Sequence, residues 1–166
     1  MNKEQFRQQG IEIRKDFPLF NSADVIYLDN AATSQKPECV IQAERDFYEK
    51  SNANPLRGLY ALAEKATKEY EDARKTVADF IGAADSSEII FTRNATEGLN
   101  LAAYCLSQMM LKEDDEIVVS IMEHHSNLLP WQMVARQTGA VLRFIECRPD
   151  GSVDLDQVKE QITEKT

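Results

Sequence analysis

From residue 60 onward the chain switches repeatedly between two hydrophobic periods, and this alternation limits the folds open to it. Leu62, Ala66, Tyr70, Ala73, Val77 and Ile81 recur at spacings of three and four. That spacing predicts a long amphipathic helix over 60–81, stopped by Gly82. Beyond it, the spacing predicts strands at 88–92, 116–121 and 140–146. Helices are expected between them at 96–111 and 126–138. A Pro-Asp-Gly turn at 149–151 leads to a last helix near 155–162. Strands separated by helices imply right-handed crossovers between neighbouring parallel strands, so the expected class is α/β with a mostly parallel sheet.

Upstream, residues 3–16 read as a short amphipathic helix closed by Pro18. "VIYLDN" (25–30) reads as a strand entering an Asp-Asn turn, and Pro37 opens a helix to about residue 50. "SNANPLRG" (51–58) is a loop rich in turn residues. At 166 residues, 43% hydrophobic and 28% charged, the chain is one globular domain or a piece of one. No internal repeat, low-complexity segment or linker interrupts it, and the alternation breaks off just after the last helix.

Several function classes drop out on composition. No run of about 18 apolar residues spans a membrane, and the polar start lacks the apolar core of a secretory signal. A net charge of −9 without a basic cluster argues against nucleic acid and anionic membranes. Cys39, Cys105 and Cys147 are odd in number, widely spaced and without a CxxC pair. That pattern suits reduced thiols in a cytoplasm. Cys105, within "LAAYCLSQMML", is expected to be buried. Asn94-Ala95-Thr96 has the form of a glycosylation sequon, which has no use without a secretory signal.

Three stretches can carry chemistry. In "IIFTRNATEGLNLAAY" a strand gives way to a helix near Ala95. Free N–H groups and the positive end of the helix dipole suit such a junction to an anion. Ala95 lets a ligand approach the backbone, and the Thr96 hydroxyl can donate. Asn94 with Glu97 three residues later also resembles a capping box, and a capped N-terminus can still hold an anion. "MEHHSN" follows the next strand at the end where ligands of open α/β sheets collect, and it contains the chain's two histidines. Adjacent histidines on an extended segment face opposite ways, so one of them is expected to face the site. No further ligands at metal spacing accompany them, so no metal site is expected. A single imidazole can instead stack on a planar cofactor, move protons, or simply close a strand. "YLDNAAT" is a small-residue turn: plain turn chemistry, or backbone brought close to a substrate.

Taken in order, "YLDNAATSQKP", "RGLYALAEKATKEYEDAR", "IIFTRNATEGLNLAAY" and "DDEIVVSIMEHHSNLLPWQ" resemble the N-terminal part of the Suf-type (group II) cysteine desulfurases. These belong to the class V aminotransferase branch of fold-type I pyridoxal-phosphate enzymes. The resemblance runs from about Asp16 to the end of the chain, with MEHHSN-x-x-PWQ its most specific part. It implies two segments, 1–58 as an N-terminal arm and substrate-side region and 59–166 as the first part of the large cofactor-binding domain. It implies pyridoxal 5′-phosphate as cofactor, with Ala95 and Thr96 on its phosphate and His124 stacked on its ring and assisting proton transfer. His125 receives no role. Asn30, Ala31 and Ala32 match the turn at the substrate end of the pocket. Arg57 lies in an active-site loop usually contributed near a dimer interface. Leu56 and Tyr60 depart from the histidines that family members often carry there, which bears on substrate preference.

The activity implied is removal of sulfur from L-cysteine, giving alanine and an enzyme persulfide for iron–sulfur cluster assembly. It implies a cytoplasmic homodimer and a sulfur-acceptor protein of the Suf system. A selenocysteine lyase or sulfinate desulfinase is the alternative within the branch, and a non-catalytic assembly module the alternative outside it. Family enzymes are more than twice as long. No residue here matches their Schiff-base lysine, nucleophilic cysteine, or partner acid of the pyridine nitrogen. The chain is therefore expected to be an N-terminal fragment, inactive by itself.

Overall fold

The computed structural model describes residues 3–166. Helix α1 (Lys3–Arg14) is followed by the short α2 (Leu19–Ser22), then α3 (Glu38–Lys50) and the long α4 (Ala61–Ile81). Next come α5 (Ala95–Met109), strand β1 (Glu116–Ser120), α6 (Leu129–Thr138), β2 (Val141–Ile145) and α7 (Leu155–Gln161). The chain divides into two compact units, Met1–Ile89 and Ile90–Thr166. The sequence division at 58/59 concerns role rather than compactness and stays a proposal.

In the second unit, β1 and β2 pair in parallel, from Glu116 opposite Val141 to Ser120 opposite Ile145. Parallel partners need a crossover, and α6 supplies it, packing against both β2 and α5. Gly139 ends α6 in the left-handed conformation, with φ at 81°. A side chain there would be strained, and its Cβ would stand 3.1 Å from Glu113 Cγ. The buried positions are small or slender: Ala103 of α5, Val119 of β1, Val134 of α6 and Ala140. Such residues let helix and sheet approach closely. Glu116 is the one buried charge of this unit among the described residues. Its carboxylate accepts from Arg143 and, at 2.7 Å, from the Thr163 hydroxyl. Its backbone N–H donates to Lys165 O at 2.8 Å. Residues 163–165 are thus tied back to the start of β1.

In the first unit α4 buries Ala63, Ala66 and Ala78 and ends at Gly82, whose φ of 74° makes the expected left-handed stop. The loop before it lies so close that a Cβ on Gly58 would fall 2.1 Å from Ala63 Cβ. Leu56 N–H donates to Thr67 Oγ1 at 2.8 Å.

Three expectations are corrected. Residues 25–30 form no strand, with Asn30 already in a turn and Ile26 and Leu28 each 87% exposed. Of residues 88–92, Glu88 closes a 3₁₀ turn (Ser86–Glu88) and 89–92 pair into no ladder. A strand exists only beside a neighbour, and no segment among the described residues lies alongside either. The sheet accordingly has two strands. Cys105 is exposed rather than buried. Helix α5 is covered along the face that carries Ala103, and Tyr104 and Met109 are open on other sides. Among the described residues, no helix is long and apolar enough to cross a membrane.

Candidate active site

Helix α5 begins at a fully made cap. The Asn94 side chain accepts from Glu97 N–H at 2.9 Å, and the Glu97 carboxylate reaches back to accept from Arg93 N–H at 2.6 Å. The Arg93 guanidinium lies against the same carboxylate. These donors hold the Glu97 carboxyl below its ordinary range, chiefly through the Arg93 backbone N–H and then its side chain. This is the capping-box logic expected from sequence, with the glutamate bonding one residue further back. It leaves the N–H groups of Ala95 and Thr96 without a partner among the described residues. They stand at the positive end of a 15-residue helix. Gly98 sits in the same turn, where an added Cβ would come 3.3 Å from Thr92 Oγ1.

The segment after β1 is organised by hydrogen bonds that the sequence reading did not anticipate. Ser120 Oγ donates to Glu123 at 2.7 Å and Asn127 Nδ2 donates to the other carboxylate oxygen at 2.8 Å. Trp131 Nε1 donates to Asn127 Oδ1 at 2.9 Å. Glu123, Asn127 and Trp131, four residues apart, chain the end of β1 to the first turns of α6. The Ser120 and Asn127 donors hold the Glu123 carboxyl below its usual range. Between them, His124 is extended and caps a 3₁₀ turn, His125–Asn127. Its Nδ1 accepts from Ser126 N–H at 3.1 Å and lies 2.8 Å from Ser126 Oγ.

These pieces meet at an open cleft of about 410 Å³. Thr96 and Asn100 line it from α5, His124, His125 and Ser126 from the turn, and Leu129, Pro130 and Met133 from α6. Asn100 is held by its own side chain, which donates to Thr96 O at 2.8 Å. The structure thus brings Thr96 and His124 together. Ala95, one residue before Thr96, is not among the lining side chains. Both histidines line the cleft, with ring centroids 6.2 Å apart. Alternation across an extended strand does not apply, because the chain turns between them. His125 and Asn100 were missed for that reason and for want of any motif. A helix N-terminus with unpartnered N–H groups, a hydroxyl, imidazoles and apolar side chains are the groups that suit a ligand with a phosphate and a flat ring.

The remaining sequence candidates belong to the first unit. Asn30, Ala31 and Ala32 form an exposed turn closed by Ala32 N–H to Asp29 O at 3.2 Å. It is braced by Tyr27, whose hydroxyl lies 2.6 Å from Thr33 O. Asn30 also borders a shallow pocket with Arg14, Phe17 and Phe20, where the Arg14 guanidinium sits 4.0 Å from the Phe20 ring centroid. Arg57 is exposed, beside Leu56, which adopts a left-handed φ of 74°. That conformation is uncommon for a residue with a branched side chain.

The aminotransferase class-V family profile matches residues 26–166. The chain belongs to that family. It is 49% identical over 158 residues to a probable cysteine desulfurase from Synechocystis, covering 93% of this chain and 38% of that protein. Among solved structures it is similar to a cysteine desulfurase from Thermococcus onnurineus, with a TM-score of 0.84 and 47% identity. That match covers 90% of this chain and 36% of the other. A cysteine desulfurase from Escherichia coli gives a TM-score of 0.77 and 41% identity, covering 93% and 39%. The chain spans about two fifths of the length of these relatives. The expected α/β class and the resemblance read from the four motifs both agree with these matches.

Proposed function

We propose that this class V chain supplies the phosphate- and ring-binding part of a cysteine desulfurase that uses pyridoxal 5′-phosphate. The observation that carries the reading is one cleft lined by Thr96, in the first turn of α5 where two backbone N–H groups are unused, and by the His124 imidazole. The cysteine desulfurases of high similarity support the reaction. When bound, the cofactor supplies an electron sink that lets bonds at the amino acid's α and β carbons break. The chain's own residues bind and orient. Ala95 and Thr96 N–H and the Thr96 hydroxyl hold the phosphate. His124 lies against the ring and offers Nε2, the ring nitrogen its turn leaves free, for a hydrogen bond or a proton. Leu129, Pro130 and Met133 give the cleft an apolar side.

Residues 1–58 form the arm and substrate-side segment in this reading, with Asn30, Ala31, Ala32 and Arg57 facing the substrate. Residues 59–166 begin the cofactor domain. The substrate is L-cysteine, the products alanine and an enzyme persulfide for iron–sulfur assembly. The enzyme is a homodimer serving a Suf acceptor, and three free cysteines suit a reducing cytoplasm.

The test is His124→Ala in an enzyme carrying this chain, with cofactor retention and turnover measured separately. Stacking is one contact among several, so retention falls only a few-fold. Turnover falls about 100-fold or more, the usual contribution of side-chain proton transfer. Unchanged turnover at saturating cofactor would leave His124 as the residue that merely closes the turn.

A further inference from the structure

We propose that Ser126 is a positioning residue for His124, holding its neutral ring in the tautomer with the proton on Nε2. A backbone N–H can only donate, so Nδ1 must accept from Ser126 N–H, 3.1 Å away. The Ser126 hydroxyl, 2.8 Å from the same nitrogen, can only donate to it too, the two donors sharing one lone pair in a three-centre arrangement. The neutral ring's one N–H is then at Nε2, which has no partner among the described residues. The cleft meets a hydrogen-bond donor there rather than a vacant lone pair. The Ser120–Glu123–Asn127–Trp131 chain holds the turn that places Ser126 under the ring.

The consequence for catalysis rests on the cofactor reading above. The neutral His124 ring presents an Nε2–H donor to a ligand; to pass that proton on, the ring takes one up at Nδ1, which displaces both Ser126 contacts. The tautomer itself rests on the turn alone and is measured without cofactor.

The chain has two histidines, so nitrogen NMR of ¹⁵N-histidine protein in alkaline buffer resolves both rings. His124 is expected to show a pyridine-type nitrogen at Nδ1 and the proton on Nε2, in roughly tenfold excess over the other tautomer. His125, whose ring makes no hydrogen bond among the described residues, serves as the reference in the same spectrum. Ser126→Ala keeps the backbone donor and loses the hydroxyl, lowering the excess about fivefold. Ser126→Thr restores it. A His124 ratio equal to that of His125, or one that Ser126→Ala leaves unchanged, overturns the proposal. The native ratio is read without any variant, so it decides even where a variant folds poorly. Failure of a phosphate-bearing pyridine to bind would instead remove the cofactor reading and leave the tautomer result intact.

Discussion

At the residue scale, the cap at α5 has two separable jobs. Asn94→Ala removes the acceptor for Glu97 N–H and is expected to cost about 1 kcal/mol of stability, seen as a lower melting temperature. Thr96→Val keeps helix and shape but removes a hydroxyl that lines the cleft. It is expected to weaken binding of a phosphate-bearing pyridine several-fold while leaving the unfolding free energy within about 0.5 kcal/mol of native. Equal loss of stability in both variants would mean that Thr96 only builds the helix. The Asn94 cap was legible because cap chemistry is local. The position of His125 was not, because one backbone turn after His124 reverses which way the second ring faces.

At the element scale, β1 and β2 were legible since each is an apolar run whose partner is in the chain. The runs at 25–30 and 88–92 are comparably apolar, and composition says nothing about whether a neighbour is present. The stop at Gly82 was legible because only glycine adopts its backbone cheaply. The Glu123–Asn127–Trp131 chain left no sign beyond its four-residue spacing, yet it ties the histidine turn to α6. Asn127→Ala removes the donor to Glu123 and strands Trp131 Nε1–H, so it is expected to cost about 2 kcal/mol by thermal unfolding. A native-like melt would show that the turn is held by other contacts.

At the scale of the whole molecule, acid should release the fastening of residues 163–165 to the sheet. Arg143, and after it Thr163, hold the Glu116 carboxyl below its ordinary range. A lowered native value means the stabilisation is fully present above the ordinary glutamate pKa of about 4.3 and is lost as pH falls through the native value. Glu116→Gln is expected to flatten the acid limb of a stability-against-pH curve, and an identical limb would assign the loss to other carboxylates. The cleft's lining contains neither lysine nor cysteine. Residues 1–166 alone are therefore expected to release no sulfide from cysteine in the presence of cofactor and thiol reductant. Sulfide together with alanine would reveal a complete site elsewhere in the chain. The central claim, that the α5 N-terminus and His124 form one phosphate-and-ring site, is tested most directly by NMR titration with pyridoxamine 5′-phosphate. That ligand has no aldehyde to label surface lysines. Saturable shifts of the Ala95 and Thr96 amides together with the His124 ring, lost when the ligand lacks its phosphate, are the predicted result; shifts at neither place, or at the ring alone with and without phosphate, would contradict it.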